Sequence, residues 1–297
     1  MYPRAFTYHR AGSLKEAVTV LSQLGEGAKL LAGGQSLIPL MKLRFANPVH
    51  LVDLNFISGT SYVREQDGAL HFGPLTRHAE IEKSASAARV PILLDCAAGI
   101  ADVQVRNRGT IGGSLAEADP SGDWATVLLT LSCEVRCAGI SGERSLKLND
   151  FLKDAYTTAL AHDELVSEVV VKVPSGNSGG AYIAFKRTAP VYPTASAAVQ
   201  LTVEGDRCKE IAIALGCVGL LPIRAREGEA ALRGQQITPK LIESAADAAR
   251  AAADPQSDMR GSAEYKRQLV GALVKRATEA ALQRARGQQV EVGHIYA

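Results

Sequence analysis

Apolar positions recur at helical spacing over Leu14, Ala17, Val18 and Leu21, behind a Ser13-Leu14-Lys15-Glu16 capping box, and Gly25 and Gly27 stop the run. The pattern predicts a helix from about Leu14 to Leu24. Ala28 to Ala32 reads as a short buried strand that opens into Gly33-Gly34-Gln35-Ser36, after which an apolar run resumes at Leu37. His50 to Leu54 and Ala69 to Gly73 read as further strands, the second preceded by the turn Gln66-Asp67-Gly68. Helices are predicted over Arg77 to Ser84, Pro91 to Ala98 and Asp123 to Leu131. Between them, Ile100 to Arg108 is taken as an extended run leading into a second glycine turn, Gly109 to Leu115. Cys133 to Ala138 alternates as a strand does.

The run Pro174-Ser175-Gly176-Asn177-Ser178-Gly179-Gly180 consists of turn formers and is read as a linker without packed structure. It divides the chain into residues 1–175 and 176–297. Beyond it, Ala181 to Lys186, Ala195 to Val203 and Ile211 to Val218 read as strands. Arg224 to Leu232, Pro239 to Ala253 and Ser262 to Arg284 read as helices. The expected class is α+β, with a second domain made of a small antiparallel sheet followed by helices.

With 297 residues and 46% hydrophobic content, the chain can bury cores for two ordinary domains. Its 33 basic and 31 acidic residues leave a net charge of +2, so no field of one sign invites nucleic acid or anionic lipid. No window approaches the roughly 20 apolar residues of a membrane-spanning helix, and Met1 to Phe6 has no apolar core, so a cytoplasmic location is expected. Cys96, Cys133, Cys137, Cys208 and Cys217 are odd in number and lack CxxC spacing. They are read as buried thiols, not as disulfides or metal ligands. His71, His78 and His162 show no ligand spacing either, so no metal site is expected, and the absence of a GxSxG elbow disfavours hydrolysis.

The chemistry therefore concentrates in two double-glycine segments, Gly33-Gly34 and Gly112-Gly113, each followed closely by a hydroxyl residue, Ser36 or Ser114. Glycine lets backbone N–H groups approach an oxyanion, so a matched pair could grip a dinucleotide pyrophosphate from two sides. Ordinary tight turns are the plain alternative in a chain with 27 glycines. Neither segment is a GxGxxG or a GxxxxGK[ST] loop, which sets aside a Rossmann or P-loop site.

Ala32-Gly33-Gly34-Gln35-Ser36-Leu37, then Pro39-Leu40-Met41-Lys42-Leu43-Arg44, closely resembles the FAD subunit of molybdenum hydroxylases, of which carbon monoxide dehydrogenase medium subunits are typical. The resemblance continues through Val105 to Leu115, Ala118-Asp119-Pro120-Ser121-Gly122-Asp123, Ala184-Phe185-Lys186-Arg187, Ala195 to Val199 and Asp258 to Lys266. It implies a two-part FAD-binding domain of the vanillyl-alcohol-oxidase (PCMH) type, with subdomains of about 1–57 and 58–175, followed by a C-terminal α+β domain. It further implies that Ala32, Gly33, Gly34, Gln35, Ser36 and Leu37, with Thr110, Ile111, Gly112, Gly113 and Ser114, wrap the pyrophosphate of a non-covalent FAD while Asp123 hydrogen-bonds the cofactor. Ile100, Leu165 and Lys186 resemble further cofactor contacts, and Tyr192 lies in a loop resembling one placed near the flavin ring. Gln35 stands where related chains often carry histidine, and Ser114 where many carry asparagine.

On the residues alone, Asp123 also suits a helix N-cap, Lys186 a solvated strand end and Tyr192 simple packing. No residue is marked as catalytic. The resemblance implies a large molybdenum-cofactor subunit, a small subunit with two-iron two-sulfur clusters and a dimer of heterotrimers, with both metal centres in the partner chains. Two other readings stay open at this level: a self-sufficient FAD oxidoreductase, and a non-catalytic assembly subunit whose glycines only make turns.

Overall fold

The computed structural model describes residues 2–188 and 191–296. These form two compact units, and the chain passes between them repeatedly. The first holds residues 1–80, 103–118 and 133–171, and the second residues 81–102, 119–132 and 172–297.

In the first unit the helix Leu14–Leu24 has the bounds its sequence predicts, because the local signals at both ends are strong. Ser13 Oγ accepts from Glu16 N, and Gly25 takes φ +62° to end the run. The helix lies by a parallel three-stranded sheet in the order Thr7–Arg10, His50–Asp53, Ala28–Leu31. Ala17, Val18, Val52, Leu54, Ile57 and Leu75 form the buried cluster there. A second sheet has five strands in the order Val63–Gln66, Ala69–Phe72, Leu165–Lys172, Cys133–Gly139, Gly142–Lys147. Cys133 and Cys137 point inward on the alternating strand between Leu165–Lys172 and Gly142–Lys147, as the pattern predicts.

The second unit is a five-stranded sheet in the order Ile223–Arg224, Arg207–Gly216, Ala195–Glu204, Ser178–Lys186, Ile295–Tyr296, covered by the helices Arg226–Leu232, Pro239–Ala252 and Ala263–Ala285. Its pairings are antiparallel apart from that of Phe185 and Lys186 with the last strand. Small side chains dominate its core, including Ala181, Ala197, Ala245, Ala249, Ala277 and Ala281. The helices Pro91–Gly99 and Asp123–Leu128 also belong to this unit.

Three local expectations are corrected. The end of the expected linker is not loose, since Ser178, Gly179 and Gly180 begin a nine-residue strand. A Cβ on Gly179 would run into the backbone of Ala281 and Ala285 and lie 2.9 Å from Arg284 Cβ, so the missing side chain is what lets the long helix lie against this strand. The stretch before the second glycine pair is not extended and contains the short helix Val103–Arg106. The pair itself is not in a turn but in the first part of the helix Ile111–Glu117. Of the five cysteines, four are buried and Cys217 is only partly so.

Candidate functional site

The strand Ala28–Leu31 ends in the first glycine segment, where Gly34 takes φ +72°, a conformation that side chains disfavour. Among the described residues, the amides of Gly33, Gly34, Gln35 and Ser36 have no acceptor. Ser36 stands at the start of the helix Leu37–Lys42 without using its hydroxyl as a cap, and Gln35 Nε2 donates back to Gly33 O at 3.3 Å. A run of uncommitted backbone donors beside a left-handed glycine is the donor set that a phosphate oxygen takes.

The second segment is built differently. Thr110 Oγ1 accepts from Gly113 N at 3.1 Å, capping the helix. Ile111 N donates to Thr76 O, Gly112 N to Pro74 O and Ser114 N to Thr110 O, at 3.1, 3.2 and 3.0 Å. The amides of Ile111, Gly112, Gly113 and Ser114 are thus already engaged, whereas that of Thr110 has no acceptor among the described residues. The groups this segment can still offer are the Thr110 amide and the hydroxyls of Thr110 and Ser114. A Cβ on Gly112 would sit 2.6 Å from Pro74 O, so glycine is required there by packing.

The two segments touch. A Cβ on Gly33 would strike the carbonyl of Arg108 and come within 2.8 Å of Gly109 Cα, and the position of a Cβ on Gly113 is 3.6 Å from Ala32 Cβ. Behind them His78 is buried, its ring against Gly109. Burial pushes its pKa down to about 3, and the charges of Arg77 and Arg106 push the same way, so the imidazole is neutral in ordinary buffer.

Leu165 is on the same unit, yet its side chain is 2% exposed within the cluster around Val52 and Leu75. Asn55 and Arg77, which sequence reasoning passes over, reach the glycine segments directly: Asn55 Nδ2 donates to Ala32 O at 2.8 Å, and an Arg77 guanidinium N–H donates to Arg108 O. The one available signal was the polar Asn55 just after a buried strand.

Asp123, Ile100, Lys186 and Tyr192 belong to the second unit. Asp123 is not the N-cap; Gly122 is, and Asp123 opens the helix, buried, with Tyr182 Oη donating to its Oδ1 at 2.6 Å. Burial raises the Tyr182 phenol well above its usual pKa, and the Asp123 charge adds to that, so the phenol stays a donor. Lys186 is not solvated: it is 1% exposed, and its Nζ donates to Gly99 O, next to Ile100 at the end of the helix Pro91–Gly99. Tyr192 is 47% exposed, and its neighbours Ala189 and Pro190 lie outside the described residues.

The model of the FAD binding domain in molybdopterin dehydrogenase matches residues 4–175. The chain belongs to this family of FAD-binding subunits. The CO dehydrogenase flavoprotein C-terminal domain matches residues 180–281. The chain is 39% identical over 282 residues to the carbon monoxide dehydrogenase medium chain of Hydrogenophaga pseudoflava, covering 95% of this chain and 98% of that one. Its fold matches the structure of that organism's carbon monoxide dehydrogenase lacking the Mo-pyranopterin moiety, with a TM-score of 0.93 and 41% identity over 96% of this chain and 99% of the other. It also matches quinoline 2-oxidoreductase from Pseudomonas putida 86, with a TM-score of 0.91 and 33% identity over 96% of this chain and 99% of the other. The chain is therefore an oxidoreductase subunit with an FAD-binding domain, and no helix among its described residues is long and apolar enough to cross a membrane.

Proposed function

We propose that this chain is the FAD-binding electron-transfer subunit of a molybdenum hydroxylase, taking electrons from iron-sulfur clusters of a small subunit and passing them to an external acceptor. The observation that carries the reading is the set of amides at Gly33, Gly34, Gln35 and Ser36 that have no acceptor among the described residues, in a segment where Gly34 takes φ +72°. Bound FAD supplies one- and two-electron redox chemistry. The chain's own residues hold it: the first glycine segment through backbone donors, the second through the hydroxyls of Thr110 and Ser114. Asp123, Ile100, Leu165, Lys186 and Tyr192 supply the remaining contacts.

In this reading residues 1–175 are the FAD-binding domain and 176–297 the C-terminal flavoprotein domain. A large molybdenum-cofactor subunit oxidises the substrate, the complex is a dimer of heterotrimers, and it works in the cytoplasm. Relatives named for carbon monoxide and for quinoline share this fold at TM-scores of 0.93 and 0.91, which supports assigning substrate choice to another subunit.

The test is a visible absorption spectrum of the purified full-length chain, alone and with co-purifying partners, with mass spectrometry of the released chromophore. Released FAD, joined by iron-sulfur absorption only when partners are present, is the expected result. A folded chain that stays colourless and takes up no added FAD would overturn the proposal.

A further inference from the structure

Asn55 and Arg77 lie outside both glycine segments but are bonded to the flank of each. Asn55 Nδ2 donates to Ala32 O at 2.8 Å, immediately before Gly33. Arg77 donates through one guanidinium nitrogen to Arg108 O, the same carbonyl that abuts Gly33, and through the other to Asn55 Oδ1 at 2.6 Å. The two side chains are thus a single bridge from the first segment to the second. Its ends are anchored. Asp53 Oδ1 accepts from Asn55 N at 2.8 Å and from Asn55 Nδ2 at 2.6 Å, while Asp53 Oδ2 accepts from Tyr8 Oη at 2.6 Å. On the other side Arg77 N donates to Glu80 Oε2 at 2.7 Å.

The geometry points to Asn55 and Arg77 as positioning residues that set the spacing between the two glycine segments for the FAD pyrophosphate, and this rests on the FAD reading above. The physical case is one of preorganisation. Two short segments, one offering amides and the other hydroxyls, grip one diphosphate only if their separation is fixed before it arrives. A planar guanidinium with directed bonds to a carbonyl and an amide oxygen fixes such a distance well. Arg77 also keeps a positive charge near the place where a doubly charged diphosphate would rest, with Arg108 close enough to act on it.

The experiment uses the full-length chain stripped of flavin and retitrated with FAD and, separately, with FMN, which lacks the pyrophosphate. Flavin fluorescence follows binding, and a thermal melt of the flavin-free chain checks the fold. Arg77→Ala is expected to weaken FAD binding by about tenfold to a hundredfold, as loss of a charge-assisted hydrogen bond does, while changing FMN binding far less. Asn55→Ala should have a similar but smaller effect. The double variant should be no worse than Arg77→Ala, because both changes cut one bridge. Arg77→Lys should restore only part of the affinity, since an ammonium cannot span both acceptors in the same plane.

Wild-type FAD affinity in Arg77→Ala and Asn55→Ala would overturn the inference. So would equal losses for FAD and FMN, or effects that multiply in the double variant. If Arg77→Ala fails to melt cooperatively, Arg77→Lys and Asn55→Ala carry the same comparison. A wild-type chain that takes up no FAD would instead defeat the function proposed above.

Discussion

The two double-glycine segments look alike in the sequence and do different work in the fold. At Gly33-Gly34 the amides are uncommitted among the described residues, whereas those from Ile111 to Ser114 are spent on Pro74, Thr76 and Thr110. One segment is a donor surface, and the other is a capped helix start that offers hydroxyls. A repeated motif thus marks a repeated backbone requirement, namely room for a close neighbour, and leaves the chemistry to be decided by what the neighbour is.

The sharpest way to break this contrast is Gly33→Ala. The new methyl would meet the Arg108 carbonyl, forcing the segments apart, so FAD uptake in a titration should fall by about a hundredfold. Unchanged uptake would mean the contact between the segments is dispensable. The same contact makes a charged substitution there a poor probe of the diphosphate, because an aspartate at 33 would first collide with protein.

A pH series probes the support of the second segment. The folded pKa of His78, about 3, lies below its ordinary value of 6.5. The unfolded chain therefore binds more protons between those two values, and the contribution of neutral His78 is full above pH 6.5 and is lost as pH falls toward 3. Between pH 6.5 and 5 the loss is about 2 kcal/mol, and urea midpoints should show it. His78→Gln should flatten that part of the slope, and an unchanged slope would remove His78 as its source.

Thr110→Ala removes the cap of the helix Ile111–Glu117 and leaves Gly113 N to find another acceptor, at about 1 kcal/mol of stability. A thermal melt would show it, and a melt identical to wild type would mean that the cap is replaced. Ser114→Ala is expected to cost less FAD affinity than Gly33→Ala. It should leave the melt unchanged and weaken FAD by about tenfold, the low end for one hydrogen bond to a charged group. If it has no effect on the titration, the second segment gives the ligand nothing from Ser114.

These cases show what the sequence could and could not convey. The helix Leu14–Leu24 was legible because its signals lie within a few residues of each end. The strand Gly142–Lys147 was not, since all but one of its side chains are exposed and no apolar alternation marks it. In Leu165–Lys172 the pairing shifts between Val166 and Glu168, and that irregularity interrupts the two-residue period a strand is recognised by. The glycine segments themselves stood out, but the fate of their amides depends on Pro74 and Thr76, which are remote in sequence. Lys186 reads by default as solvated; only the fold brings its ammonium to Gly99 O. Asn55 and Arg77 meet across 22 positions, beyond any local pattern.

The helix Pro91–Gly99, with Ile92, Leu93 and Cys96 fully buried, packs on the strand Ser178–Lys186, and the helix Asp123–Leu128 packs on Ala195–Glu204. A ribosome must therefore release each helix well before the strand that covers it exists. At roughly 5–20 residues per second the first helix waits on the order of ten seconds with its apolar side chains uncovered. For that interval the nascent chain is a client for whatever holds unfolded polypeptides in the cell, and slowing translation after residue 99 lengthens the exposure.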